Sequence, residues 1–314
     1  MFKSLVAILL ILAFYCGSAQ AMQVDDGIPD GWMIIEEDIL VPETYYLDPA
    51  AFATSFWAGG IVPYFFHSSV TGNQQLKAIA AMDEWEAHAN VQFVPLTNQT
   101  HYILIRSSSQ NSSNVGQTGG QQTINIASWN VHYTIMHEFA HALGYWHEHA
   151  REDRNTFIEI NYANVCQTCC SGSCNFNFNL QFGSGRYGPY NFDSFMHYGQ
   201  FQATGNGLPT ITVLPPYGVE WQDQIGQRDH MSTWDSRVMS FLYAEPDWTF
   251  VDWTDSGSTE SGSFFEPIRD FWQATVAVPA GGQVIVLEPD TAISAGVINS
   301  PMTLRAPVGG VVIH

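Results

Sequence analysis

The sequence predicts an α+β fold, with one large domain of short strands and a few amphipathic helices followed by a small all-β module. Two observations carry this. Between residues 56 and 243, short apolar runs of β character alternate with segments whose apolar residues recur at helical spacing. Beyond Pro246 the helical spacing stops, and short β-prone runs broken by Gly and Pro turns take over. The 314 residues suffice for one large or two modest domains with a real core. Thirty acidic side chains face ten basic ones, a net charge of −20. Such a chain repels phosphate backbones and anionic membrane surfaces, so nucleic acid is excluded as a partner. A content of 46% hydrophobic and 14% aromatic residues excludes intrinsic disorder.

The elements follow in chain order. Lys3 precedes the apolar run of residues 5–14, and Ala19-Gln20-Ala21 supplies small residues at the two positions a signal peptidase reads. Residues 1–21 are therefore expected to be a cleaved signal peptide, the run being too short to cross a bilayer comfortably. Export, to the extracellular space or the periplasm, follows. Residues 22–47 are acidic and show no periodic segment. Residues 61–66 read as a strand and 73–90 as a helix with Leu76, Ile79 and Ala80 on its apolar face. Residues 91–94 and 102–105 read as strands, 116–120 as a loop, 123–126 as a strand and 133–143 as a second helix. Long stretches rich in Asn, Gly, Ser and aromatic residues come next. A last helix is expected over 228–243, with Met231, Trp234, Val238 and Leu242 at helical spacing.

The mature chain would keep four cysteines, Cys166, Cys169, Cys170 and Cys174, all in one loop. Export makes two local disulfides the expected state. Four thiolates so close together could instead bind a metal. Adjacent Cys169 and Cys170 can hardly bridge each other without strain, which leaves Cys166 and Cys174 as their partners in some order.

The chemistry sits on the second helix. His137-Glu138-Phe139-Ala140-His141 places two imidazoles four residues apart, on one helix face, where both reach a single metal ion. Glu138 stands one residue along and can approach an activated water without ligating. Two surface histidines would give the same five letters. However, Ile135, Met136, Phe139, Ala140, Ala142 and Leu143 make the helix apolar nearly all round, and buried polar groups without a partner cost several kcal/mol. Gly144 then ends the helix and turns the chain, so that His147 reaches the same ion. Three imidazoles with an open fourth position describe a catalytic zinc site, and the long pattern HExxHxxGxxH is the metzincin signature.

The residues after His147 narrow this further. Glu148-His149-Ala150-Arg151-Glu152-Asp153-Arg154-Asn155 and Ser194-Phe195-Met196-His197-Tyr198 resemble the astacin family of zinc metalloendopeptidases, whose signature runs HExxHxxGxxHExxRxDRD with a later SxMHY. Asn155 departs from the final Asp. Similarity also covers residues 57–64 and 225–228, so that it spans most of 48–246, and the C-terminal β module suggests a bacterial-type arrangement.

The resemblance implies a metzincin-type domain, with a mixed five-stranded sheet and the active-site helix in an upper lobe and an irregular lower lobe. It implies one Zn2+ on His137, His141 and His147, Glu138 as general base, Tyr198 as oxyanion donor and protein or peptide substrates. Met196 would floor the site, although core packing explains a methionine equally well, and Tyr198 could be a plain core tyrosine. Glu148 would anchor the mature N-terminus. Asp153 and Arg154 are expected as structural hydrogen-bonders, His197 as structural and His149 as a surface residue. The rival reading is a non-catalytic surface-binding protein with a degenerate enzyme domain, against which the intact His137, Glu138, His141 and His147 argue.

Ile35-Glu36-Glu37-Asp38 resembles the FxGD segment of astacin propeptides without its Phe and Gly. Either Asp38 caps the zinc in a latent form, with 22–47 as propeptide, or the segment is an acidic linker. A cut between 47 and 53 would release the site, and that stretch holds no Arg or Lys for a trypsin-like enzyme. The regions where the family's two long-range disulfides should fall, near 107–114 and 129–131, hold no cysteine. Residues 247–314 read as the opening rung of a right-handed β-helix or as a small β module, with contact to a surface or glycan as its candidate role.

Overall fold

The computed structural model describes residues 28–43, 55–167, 174–181, 188–255, 257–264, 266–287, 291–294, 296–307 and 311–313. The expected signal peptide, the expected cut stretch of 47–53, Cys169 and Cys170 lie outside the described residues, so the cysteine pairing does too.

A hairpin comes first, β1 (Trp32–Ile35) and β2 (Ile39–Pro42), in residues where the sequence showed no periodicity. Strands β3 (Ile61–Phe66), β4 (Gln92–Pro95), β5 (Tyr102–Ser107), β6 (Ser112–Ser113) and β7 (Gln121–Ile126) are the five expected of the catalytic domain. The sheet order is β1-β2-β6-β7-β5-β3-β4, so the hairpin extends a five-stranded mixed sheet to seven. Strands β3, β4, β5 and β7 run parallel to one another, while β6 is antiparallel to β7. In β5, Ile103 and Ile105 point into the core while their neighbours are half-buried, which is the period-two burial of a strand.

Helix α1 (Gly72–His88) starts at a capping box in which Thr71 and Gln74 exchange side chain–backbone bonds. It buries Ala78, Ala81, Met82 and Trp85, and not the expected face, for Leu76 is 67% exposed and Ala80 is exposed as well. Both stripes have helical spacing, and the one that carries Trp85, whose indole donates to the carbonyl of Met136 at 3.2 Å, turns inward. That bond joins it to α2 (His132–Ala142), whose residues from Ile135 to Ala142 are all buried. Together with Val62, Ile103, Ile105, Ile124 and Ile126 of the sheet, the two helices close the main core. The segment after α2 is irregular, as expected. A short strand pair within it, β8 (Ile158–Ile160) with β9 (Ile211–Val213), lines a second cluster with Phe178, Tyr190, Phe192 and Tyr198. A single turn of helix, α3 (Gly218–Trp221), follows.

Two further expectations on helices need correction. The last catalytic-domain helix, α4 (Thr233–Leu242), begins five residues later than the apolar spacing suggested. Ser232 and Asp235 form a capping box that starts it there, and the Gln227 side chain holds the preceding loop by donating to the carbonyls of Asp193 and His230. In the C-terminal module, a seven-residue helix, α5 (Phe271–Ala277), stands where none was expected. The Asp270 side chain caps it through the amide of Gln273, and Phe271, Ala274 and Thr275 form its buried stripe.

The module is otherwise β. Strands β10 (Trp248–Val251), β11 (Gln283–Val286) and β13 (Thr303–Arg305) form one parallel sheet, and β12 (Thr291–Ile293) and β14 (Val311–Ile313) another. The same sequence spacing separates the partners Gln283 and Thr303 as separates Thr291 and Val311. Phe241 of α4 packs against Phe250 and Phe264 with ring centroids 5.5 and 5.3 Å apart, so one aromatic cluster crosses the expected boundary at Pro246.

Candidate metal centre

Three imidazoles meet at the C-terminal half of α2. His137 and His141 share one face of α2, and their Nε2 atoms lie 3.1 Å apart. The helix ends at Leu143, and Gly144 takes φ +110°, a left-handed value, where a Cβ would approach the Phe56 ring to 2.8 Å. The amides of Gly144 and Tyr145 donate back to the carbonyls of His141 and Ala140, reversing the chain. His147 thereby comes to 3.2 Å from His137, Nε2 to Nε2.

The other nitrogen of each ring is committed. His137 Nδ1 donates to the carbonyl of Phe195 at 2.9 Å, His141 Nδ1 to the carbonyl of Tyr145 at 2.7 Å, and His147 Nδ1 to the Glu36 carboxylate at 2.7 Å. With the rings neutral, these bonds set the tautomers and turn the three Nε2 lone pairs toward one another. Asp38 completes the group. Its carboxylate lies 3.2 Å from His137 Nε2 and from His147 Nε2 and 3.7 Å from His141 Nε2, and its Oδ1 is buried without a hydrogen bond among the described residues. The four residues form a group able to hold a metal ion.

The electrostatics fit a cation. Burial, with help from Arg228, lowers the pKa of His137 to about 3, and burial lowers that of His141. Burial would lower His147 as well, but Asp38 and Glu36 outweigh it and push it up to about 9. The two carboxylates thus draw positive charge to this spot. A proton on His147 would answer them alone, whereas a divalent cation also satisfies the lone pairs of His137 and His141.

Glu138, next along α2, is 1% exposed, and among the described residues neither carboxylate oxygen has a hydrogen-bond partner. Burial, and secondarily Asp38, raise its pKa well above the usual range. Tyr198 is 2% exposed, and its hydroxyl donates to the backbone carbonyl of Glu36. Its ring lies 4.8 Å from that of His147. At Gly226, φ is +86° and a Cβ would stand 2.3 Å from the Cα of Gly199, so only glycine lets this loop close against the Tyr198 segment. Met196 is fully buried in the main core, and its carbonyl accepts from the amide of Glu148 at 3.0 Å. Asp235 ties the same segment to α4, accepting from Ser194 Oγ at 2.5 Å and from the amide of Phe195 at 3.3 Å.

Glu148 is buried, with Arg151 at 3.1 Å and the amide of Asn191 at 2.8 Å, and burial raises its pKa to about 7. Asp153 forks with Arg151, Arg154 donates to the carbonyls of His149 and Phe178, and His197 is tied to the carbonyl of Tyr198 and to the Tyr190 hydroxyl. These three are structural, as expected. His149 is not a surface residue. It is fully buried and stacks on Tyr198 at 3.8 Å, because the segment of Asn177 and Phe178 closes over it, with the Asn177 carbonyl accepting its Nε2 proton. Glu36 and Gln181 were not anticipated. Neither has a local spacing that marks it, and both meet the site only through the tertiary fold.

The family model described as Astacin, a peptidase family, matches residues 50–244. High choriolytic enzyme 1 of Oryzias latipes is 30% identical over 219 residues, which is 67% of this chain and 78% of that protein. Zinc metalloproteinase nas-14 of Caenorhabditis elegans is 30% identical over 217 residues, 67% of this chain but only 42% of that protein. The solved structure of High choriolytic enzyme 1, described as a hatching enzyme zinc-protease, superposes with a TM-score of 0.54 at 30% identity, covering 62% of this chain and 95% of that one.

Proposed function

This chain belongs to the astacin family and is a zinc metalloendopeptidase, and we propose that His137, His141 and His147 hold the zinc, that Glu138 is the general base and that residues 28–43 keep the enzyme latent. The observation that carries the reading is the convergence of three Nε2 lone pairs whose rings are each locked from behind.

Zinc on three imidazoles supplies Lewis acidity, which at such sites brings the pKa of water to about 7 and polarises a carbonyl. The rest falls to the protein. Glu138 is dry and unpaired, so it is free to take a proton from water as the C–O bond forms. It then gives that proton to the departing amine as the C–N bond breaks. The Tyr198 hydroxyl, once free of the Glu36 carbonyl, is a donor for the oxyanion. Glu148 is buried with Arg151 as its cationic partner, and a new N-terminal ammonium beside it would stabilise its charged form. The substrates are proteins or peptides.

The latency reading rests on three contacts from one hairpin. Asp38 sits among the ligand nitrogens, the Glu36 carbonyl occupies Tyr198, and β2 pairs with the rim strand β6 in parallel at Ile39 and Ser113. Removal of the hairpin, by a cut near 47–53, would open the fourth ligand position. The N-terminal apolar run supports export, and among the described residues no helix is long and apolar enough to cross a membrane.

The test is metal analysis and casein cleavage of the activated protein. One zinc per chain and full inhibition by a chelator are expected, with zinc weakly held in His141→Ala. One tightly held zinc in His141→Ala would refute the ligand assignment.

A further inference from the structure

The three ligand imidazoles are not oriented alike. His137 and His141 each donate to a backbone carbonyl of the catalytic domain, Phe195 and Tyr145. His147 alone of the three donates to a charged group, and that group belongs to the hairpin. Glu36 is 0% exposed, and both carboxylate oxygens are used. Oε2 accepts from His147 Nδ1 at 2.7 Å and Oε1 from Gln181 Nε2 at 2.5 Å. The backbone bends to deliver it, since Glu36 and Glu37 both adopt left-handed φ values, +48° and +66°, unfavourable for residues other than glycine. A carboxylate buried at this cost and clamped on both sides has a specific contact to make.

We propose that Glu36 is a positioning residue for the metal ligand His147, contributed by the hairpin, so that the uncut chain grips its zinc through the back of one imidazole as well as through Asp38. The inference rests on the reading of His137, His141 and His147 as the zinc ligands. A carboxylate behind a ligand imidazole fixes its tautomer and ring angle and makes the facing nitrogen a stronger donor. Loss of such a partner typically weakens metal binding by about 10–100-fold. The hairpin would then act twice, and its departure would loosen the metal as well as expose it.

The experiment measures zinc affinity in the full-length, uncut chain by competition with a chromophoric chelator, so it needs no catalysis. The proteins are the parent, Glu36→Ala, Glu36→Gln, Asp38→Ala and the double variant Asp38→Ala/Glu36→Ala, each with its melting temperature. Glu36→Ala should hold zinc about 10–100-fold more weakly than the parent. Glu36→Gln, which keeps an acceptor without the charge, should fall between. The weakening should persist in the Asp38→Ala background, since Glu36 acts on His147 and not on the fourth position. A folded Glu36→Ala chain within twofold of the parent would overturn the proposal and leave the ligand set intact. A parent that binds no zinc would overturn the ligand reading itself. If neither Glu36 variant folds, the residue serves folding, and the proposal fails on that ground.

Discussion

Helix α2 and the hairpin β1–β2 reach the same imidazoles, and they are built in opposite ways. Every residue of α2 from Ile135 to Ala142 is buried, and the helix packs on α1 and the sheet through the largest core of the molecule. The hairpin pairs with itself, joins the sheet at Ile39 and Ser113, shares a small cluster of Ile35, Ile39, Val41 and Val115, and meets the rest of the chain through polar contacts of Glu36, Glu37, Asp38 and Leu40 as well. It also carries two left-handed glutamates. On the proposed ligand set the helix has to hold His137 and His141 in one geometry, which packing on all sides ensures. On the proposed latency reading the hairpin has to hold only until it is cut away, and what holds it is a set of polar contacts and a small apolar cluster rather than the main core.

The sharpest way to test this contrast is on the helix. Glu138→Ala in the activated enzyme should lower turnover by about 10²–10⁴-fold, the range of a lost general base, while zinc content and melting temperature stay at parent values. Turnover within tenfold of the parent would show that Glu138 does not do this work. Tyr198 touches both elements, through the ring of His147 and the carbonyl of Glu36. Tyr198→Phe should lower kcat by roughly 10–1,000-fold with little change in KM, as for the loss of one oxyanion donor. An unchanged kcat with a slightly lower melting temperature would make it a packing residue.

On the hairpin the effect should be smaller and opposite in sign. Asp38→Ala in the uncut chain should raise chelator-sensitive casein cleavage by about tenfold, the order of one lost contact of 1–2 kcal/mol. Activity still at the parent's uncut level would detach latency from Asp38. The smallest expected effect lies behind the site. Burial raises the pKa of Asp235 to about 6, against hydrogen bonds from Ser194, Ser232 and Phe195 that lower it. A carboxyl raised in the folded state binds more protons folded than unfolded. Its contribution to stability is therefore full below about pH 4 and is lost as pH rises through 6. The melting temperature of Asp235→Asn relative to the parent should accordingly rise by a few degrees between pH 4 and pH 7. A difference that is flat with pH would show that Asp235 is not protonated in this window.

Much of the catalytic half could be read in advance because its signals are local. Four-residue spacing puts His137 and His141 on one helix face whatever surrounds it, and Gly144 permits the left-handed turn that brings His147 back within a few residues. The period of the backbone does not by itself choose the buried face of α1, where Leu76 and Ala80 of the expected face are exposed and the buried stripe is Ala78, Ala81, Met82 and Trp85. It does set the alternation in β5. The C-terminal β texture was legible for the same reason, but α5 was not, because Phe-Trp-Gln-Ala-Thr-Val-Ala is β-prone and a single Asp270 cap with three buried side chains decided it.

What only the tertiary structure decided concerns residues whose partners are far away in the chain. His149 counts as a surface residue until Asn177 and Phe178 close over it. Phe241 belongs to one domain in the sequence and to a shared aromatic cluster in the fold. Glu36 looks like one more acid in an acidic stretch until His147 and Gln181 close on it. Local spacing fixes which way a side chain points, but burial and pairing depend on what packs against it, and that is set by contacts the chain makes only when it is folded.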